Sequence, residues 1–388
     1  MHTSPTEQFI TWQENGQDCA LAWNCLTSGK APSRVQIVDD TTTADQAYRL
    51  ACEGIGLLWR GDYQNGRQLL QAMARRADPQ KTDKRAEKKA AKKPAPSMLE
   101  RFHQYRMSQA QRARILGMLL LEFDANFVLN LRRAPEVAEA CRAAYGNLDH
   151  ACITPMRELL GVIGAHEWRR NGVEIAALGD KIHPHYGVYS PVRGEYIELI
   201  AQAELPKTCK TAFDIGTGTG VLAALLAKRG VAQITAADNS SRALVCAQDN
   251  VQRLQLGKQI QVQAADLFPA GSADLLVCNP PWLPGKASSM LEHAIYDQDS
   301  RMLRGFLQGA AAHLNAKGQV WLVMSDLAEL LGLRTREQLL QWIQEAGLQL
   351  LGKDDTQPTH SKAKDETDPL HQARSKETTS LWRLVKAK

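Results

Sequence analysis

No Cys-x-x-Cys pair occurs anywhere in this 388-residue chain. Its eight cysteines, at positions 19, 25, 52, 141, 152, 209, 246 and 278, are scattered. Neither a zinc site nor a disulfide framework is indicated, and a reducing, cytoplasmic setting is the expectation. No apolar run approaches the ~18 residues of a membrane span, so no membrane partner is expected. Met1-His2-Thr3-Ser4-Pro5 is polar, and no secretory signal is expected. No fixed-period repeat is visible, which excludes solenoid and propeller arrays. A globally basic surface is absent too. The formal net charge is +5, but Arg75 to Lys93 holds nine Lys/Arg against three Asp/Glu, a local +6 that leaves −1 for the rest. The basic character is one segment.

The length allows two to three domains, and the composition is that of an ordinary soluble protein. Residues 1–76 give weak signals: a possible strand at Arg34–Val38, then a mostly helical pattern from Thr43, broken near Gly54–Gly61. Residues 77–97 are Lys/Ala-rich and end in prolines. They bury too little apolar surface to order themselves and read as a linker or a solvated helix. Residues 98–190 read as a helical region with a short hairpin, Val173–Leu178 with His185–Tyr189. Ser190–Tyr196 leads into a further helix. From about 206, strands at 211–215, 233–237, 259–263, 273–278 and 318–324 alternate with helices, which argues for a parallel sheet covered on both faces. A helix at 333–346 follows. Leu348–Gly352 and Leu381–Val385 read as two last strands flanking a polar insert, 353–380.

Within that alternation, Asp214-Ile215-Gly216-Thr217-Gly218-Thr219-Gly220 ends a strand and opens a helix. Glycines here permit positive φ and close approach of a ligand. The N–H groups of the following helix start favour an anion. A dinucleotide turn reads G-x-G-x-x-G with an acid about 20 residues on; here the acid comes first and Val221 stands where the third glycine would fall. Asn279-Pro280-Pro281-Trp282 follows the apolar run Asp274–Cys278. Its two prolines fix the backbone and hold Asn279 extended. The result is a ledge bearing one amide and one ring outside the carboxyl end of a strand, where open α/β sheets bind ligands. Trp282 as a simple core plug is the other reading.

These two segments together resemble class I S-adenosylmethionine-dependent methyltransferases carrying an Asn-Pro-Pro-aromatic motif, which act on planar nitrogens. The resemblance covers roughly residues 185–352. It implies a carboxy-terminal, Rossmann-like, seven-stranded α/β methyltransferase domain over 191–388, preceded by a mainly helical amino-terminal region. It also implies S-adenosyl-L-methionine as cofactor. Asp214, Gly216, Gly218 and Gly220 would hold its methionine end and Asp238 its ribose. Asp266 would meet the adenine amino group, and Phe268 would cover the ring. Asp238 also reads as an N-cap for the helix near Ser240, and Asp266 as a turn aspartate. Tyr189 and Arg193 are candidates for contact with donor or acceptor, or for plain packing. Asn279, Pro280 and Trp282 are the catalytic candidates: two acceptors for the hydrogens of the target nitrogen, and a face on which the planar group lies. No strong base is required, because an N-methylated cation sheds its proton readily.

The acceptor stays open. One reading is an exocyclic amine of a base in RNA, supported by the basic run, since Lys/Arg runs supply phosphate affinity. Lys353, His360, Lys362, His371, Arg374 and Lys376 on the insert would add to it. Another is a protein glutamine, as in release-factor glutamine methyltransferases; Asp297-Gln298-Asp299-Ser300-Arg301-Met302-Leu303 looks similar to theirs. Those enzymes usually carry Tyr in place of Trp282 and have much shorter amino-terminal domains. A nicotinamide oxidoreductase leaves Asn279–Trp282 unexplained. A catalytically idle binding module leaves Asn279 without a purpose.

Overall fold

The computed structural model describes residues 8–27, 30–78, 95–191, 194–359 and 361–388. Most of the basic run, together with Arg193 and His360, lies outside the described residues. The chain forms two compact units, one of residues 1–95 and 103–167, the other of 96–102 and 168–388. They part near 167 rather than at 190. The reason is that Ile175, Leu178 and Ile182 are buried in the same apolar cluster as Ile197, Leu222 and Ile234.

Among the described residues of the first unit, helices hold more residues than strands, as expected. Unexpectedly, a six-stranded sheet organises it. Its strands are β1 (Phe9–Glu14), β2 (Gln17–Trp23), β3 (Arg34–Val38), β4 (Ile55–Trp59), β5 (Leu119–Phe123) and β6 (Cys152–Pro155), in the order 1-2-6-5-4-3. Helices α1 (Ala44–Cys52) and α2 (Tyr63–Arg76) flank β4 in the chain; α3 (Met98–Leu116), α4 (Ala138–Tyr145) and α5 (Met156–Asn171) follow. The helical reading of 98–165 is therefore corrected twice, at β5 and β6, and the break at 54–61 is itself a strand. Leu57, Leu58 and Leu119 to Leu121 are all 0% exposed. Short fully apolar runs show no alternation, so periodicity cannot tell a central strand from a buried helix.

In the second unit, a small hairpin pairs β7 (Val173–Ile175) with β8 (Asp180–Ile182). His185–Tyr189 is a turn, not the expected strand; Gly187 has φ +82°. Helix α6 (Glu195–Gln202) precedes a seven-stranded sheet. Its strands are β9 (Thr211–Ile215), β10 (Gln233–Asp238), β11 (Ile260–Ala264), β12 (Ala273–Cys278), β15 (Leu314–Ser325), β16 (Leu348–Thr356) and β17 (Thr379–Lys386). The order is 11-10-9-12-15-17-16, parallel except for β17, which is antiparallel to both neighbours. The interleaved helices are α7 (Val221–Lys228), α8 (Ser241–Arg253), α9 (Arg301–His313) and α11 (Arg336–Glu345), with a short turn α10 (Leu327–Leu330). Between β11 and β12 the expected helix is absent; residues 265–272 are irregular. A two-residue parallel pair, β13 (Leu283–Pro284) with β14 (Tyr296–Asp297), follows the ledge.

The order places β9 beside both β10 and β12, so three strand ends converge. Strand β9 pairs with β12 such that Asp214 is opposite Val277 and Ile215 opposite Cys278. Asp274 pins this register from below. Its Oδ2 accepts the Lys210 N–H at 2.9 Å, the Thr211 N–H at 3.0 Å and the Thr211 hydroxyl at 3.0 Å, while Oδ1 accepts from Asn315 Nδ2 at 2.8 Å. Burial opposes the charge, but these donors hold the carboxyl below its usual range. Removing the carboxylate strands two backbone donors. Asp274→Ala should lower stability by about 2–3 kcal/mol near neutral pH. Urea unfolding of the two proteins checks this; equal midpoints would remove Asp274 as the pin.

Candidate active site

The glycine turn leaves β9 and enters α7. Gly216, Gly218 and Gly220 have φ of +72°, +56° and +81°, values that side chains rarely tolerate. The Gly216 and Thr217 N–H groups both donate to the Ala237 carbonyl at 2.9 Å, tying the turn to β10. No atom lies within 4 Å of where a Gly218 side chain would begin, so that face of the backbone is open. At Gly216 the same position is only 2.7 Å from the Met302 methyl, which packs on the turn from α9.

Two acids hold this turn differently. Asp214 is 1% exposed. Its Oδ2 accepts the Thr217 hydroxyl at 2.6 Å and the Ala223 N–H at 3.0 Å, closing the start of α7. It braces the turn from beneath, and burial pushes its carboxyl up to about 6, with Asp238 nearby adding to the rise. Asp238, half-buried at the end of β10, accepts the Gly218 N–H on Oδ2 at 3.0 Å and the Ser240 N–H on Oδ1 at 2.9 Å. The cap of α8 is Ser240, whose hydroxyl accepts from Ala243 N–H, so Asp238 is not the N-cap. Each carboxylate oxygen has two acceptor sites, and one on each remains for a diol. An open glycine face beside a fixed carboxylate fits a ligand with a polar tail and a ribose.

On the other side of β9, the ledge leaves β12. Pro280 is buried, and Asn279 and Trp282 are half-buried. The Trp282 indole N–H donates to Asn279 Oδ1 at 2.9 Å. The Trp282 ring also packs against apolar clusters on both faces of the sheet. It is thus an anchored ring as well as a half-exposed one. Tyr196, 6% exposed in the first turn of α6, is buried in the same apolar cluster against which Trp282 packs. Burial, with Tyr189 and Asp214 nearby, drives the Tyr196 phenol well up from its ordinary value.

Other predicted residues fare unequally. Asp266 is exposed just past β11. Phe268 is half-buried. Its ring stacks on Phe306 at 5.7 Å and on His313 at 4.5 Å, and a side chain at Gly309 would come within 2.5 Å of it. The sequence places Phe268 after the strand end, and its ring packs against α9. Tyr189 is 38% exposed. On the insert, Lys353 is paired with Asp355 and Arg374 with Asp368, so neither is a spare cation.

Tyr196 carries no local signal in the sequence, since it is one of several large residues along a helix face. Asp297 had one, an acid ahead of a helix. It is 8% exposed and accepts the Met302 and Leu303 N–H groups at 3.0 and 3.1 Å. Burial raises its carboxyl. Between them, Asp299 and Ser300 take left-handed backbone at φ +57° and +53°, a strained pair for non-glycine residues. That strain and the Asp297 cap set Met302 against the glycine turn. A cavity of about 460 Å³ lies elsewhere, between α8 and β11, and no predicted site residue lines it.

A glycine turn and an Asn-Pro-Pro ledge stand on adjacent strand ends of a seven-stranded sheet, and the carboxy-terminal unit has the Rossmann-like α/β fold of methyltransferases. Residues 181–331 match the methyltransferase small domain. The chain is 39% identical over 95 residues to a tRNA1(Val) (adenine(37)-N6)-methyltransferase of Glaesserella parasuis, covering 24% of this chain and 40% of that protein. It is 30% identical over 139 residues to a release factor glutamine methyltransferase of Cereibacter sphaeroides, covering 32% of this chain and 50% of that protein. The chain thus spans half or less of these two relatives' lengths. A methyltransferase structure from Pyrococcus furiosus is 16% identical, with a TM-score of 0.40, over 59% of this chain and 98% of that one.

The raised Asp214 carboxyl has a consequence for stability. An acid whose folded pKa exceeds its unfolded one stabilises the fold when protonated; that contribution is lost as pH rises from about 4 through about 6. Asn at 214 keeps an acceptor for Thr217 and Ala223 without the charge. The stability of Asp214→Asn relative to wild type should therefore improve between pH 4 and pH 7 by up to ~3 kcal/mol. Urea melts across that range test it; a pH-independent difference would contradict the assignment.

Proposed function

We propose that this protein is an S-adenosylmethionine-dependent N-methyltransferase whose acceptor is the exocyclic amino group of a base in RNA. The single observation that carries the N-methylation reading is Asn279. Its side-chain oxygen stands at the end of β12, one strand from the glycine turn, with Trp282 beside it. In this reading Gly216, Gly218 and Gly220 take the methionine end of the donor over the open backbone face, and Asp238 takes the ribose hydroxyls. Asp214 acts through the turn it braces. Asp266 is the proposed partner of the adenine amino group, and Phe268, stacked on Phe306 and His313, is the apolar side chain proposed to flank the ring. Bound there, S-adenosylmethionine supplies an electrophilic methyl group.

The remaining work belongs to the ledge. An exocyclic amine is a poor nucleophile because its lone pair is delocalised. Asn279 Oδ1 has two acceptor sites; Trp282 occupies one, and the other takes a hydrogen of the target nitrogen. The Pro280 carbonyl takes the second hydrogen. Both acceptors favour the positive charge that develops on nitrogen. Their fixed positions set the nitrogen in line for attack, and orientation alone supplies much of the barrier reduction. The exposed part of the Trp282 ring offers a stacking surface, worth about 1–3 kcal/mol per base.

RNA is favoured by the basic run and by the adenine-modifying relative. A glutamine acceptor is the second reading, favoured by the release-factor relative and by the pairing of Lys353 and Arg374 with their own acids. Both amide and base amine are planar nitrogens that the same two acceptors can grip.

Methyl-labelled donor, incubated separately with RNA and with protein from cells lacking the gene, should label RNA. Asn279→Ala should cut single-turnover transfer by about 10²-fold or more while leaving donor affinity nearly intact. Asp238→Ala should weaken donor binding by about 1–3 kcal/mol in calorimetry. Label confined to a protein glutamine would establish the second reading. Full activity in Asn279→Ala would end both.

A further inference from the structure

A positive charge inside a fold needs an acid or a set of acceptors beside it, because burying it alone is costly. Among the described residues Arg334 has no such partner. The residue is 4% exposed, and its Nε and Nη2 atoms make no hydrogen bond. The acids in its neighbourhood are engaged elsewhere. Glu329 accepts the Arg336 Nε–H on both oxygens, at 2.9 and 2.8 Å. Asp297 accepts the Met302 and Leu303 N–H groups. A guanidinium does not shed its proton in a protein, so the charge stays. Other arginines of this unit are paired: Arg336 with Glu329, Arg374 with Asp368 and Arg383 with Asp354.

The fold puts this charge at the carboxyl end of the seven-stranded sheet, one strand from the ledge. Strand β15 runs parallel to β12, with Leu322 opposite Cys278. Helix α10 starts just past β15 and packs against β13, the two residues that follow Trp282. The turn after α10 folds back on it: the Leu333 and Arg334 N–H groups donate to the Ala328 carbonyl at 2.8 and 3.3 Å. Thr335 then caps α11, its hydroxyl accepting the Gln338 N–H at 3.2 Å. Arg334 is thereby fixed between two helix ends, on the layer that α10 lays against the chain leaving the ledge.

We propose that Arg334 binds a backbone phosphate of the acceptor RNA, next to the nucleotide whose base lies on the ledge. A guanidinium presents its N–H groups as a planar fork that matches phosphate oxygens. A nucleotide carries its phosphates a sugar's width from its base, so a base on Trp282 brings them over the neighbouring strand end. The phosphate supplies the counter-charge that the fold withholds. The assignment rests on the RNA reading of the ledge.

The test uses the full chain and the RNA fraction of gene-deleted cells that takes methyl label from the wild type. In Arg334→Met the affinity for that RNA should fall about tenfold or more, the loss of a charge-assisted hydrogen bond. In turnover the loss should appear in the KM for RNA. The slope of log affinity against log salt should flatten by about 0.7–0.9, one phosphate contact. Arg334→Lys keeps the charge without the fork; it should keep the slope and lose only part of the affinity. Stability gives a readout that a structural arginine would move the other way. Replacing an unpaired buried charge with an apolar side chain should leave the urea midpoint at the wild-type value or above it. A midpoint well below wild type in Arg334→Met would mean that the guanidinium supports the fold, and would overturn the proposal. Wild-type RNA affinity and salt slope in Arg334→Met would overturn it too, and would leave the RNA reading standing. Label confined to a protein glutamine would instead remove the RNA reading, and the phosphate assignment with it.

Discussion

The pairing of β9 with β12 is the constraint on which the site depends. The two strands run parallel and in a register that sets Asp214 against Val277 and Ile215 against Cys278. Because side chains alternate across a strand, a slip of one residue would turn every side chain of one strand to the other face. The glycine turn and the Asn-Pro-Pro ledge leave these strands at the same, carboxyl, end of the sheet, so their separation is set by strand spacing and not by loop flexibility. Asp274 locks the opposite end of the pair with backbone and side-chain bonds to Lys210, Thr211 and Asn315. A residue distant from the chemistry thereby governs its geometry.

Around that pair, polar groups are spent on holding the backbone in shape. Asp214 closes α7, Asp297 closes α9, and Asp238 ties the glycine turn to the start of α8. Burying the first two raises their carboxyls, a cost accepted to present donors and acceptors at fixed places. Preorganisation of this kind is what a charge-developing step needs, since no reorganisation is then required at the moment of reaction. The same principle joins Trp282 to Asn279.

The site was more legible than the scaffold that carries it. Gly216, Gly218 and Gly220 were readable because positive φ restricts residue type, and Asn279–Pro281 because proline restricts backbone. Asp238 was readable from its place at a strand end. For Phe268 the sequence carried no sign that Phe306, His313 and Gly309 pack against its ring. Tyr196 was passed over, since nothing near it in the chain signals that it is buried in one cluster with Val277. In the first unit, β4, β5 and β6 were hidden because short runs buried on both faces carry no period.

By itself, then, the sequence determined the local backbone. It set where glycine must turn, where two prolines must hold an asparagine extended, and where apolar runs alternate with amphipathic helices to make a covered parallel sheet. Those features depend on φ restrictions and periodicity, which act over a few residues. Tertiary structure decided which apolar runs became central strands, which aromatic rings were consumed by packing, and which distant side chains packed together beside the ledge. These outcomes depend on contacts between segments tens to hundreds of residues apart, and no local pattern encodes them.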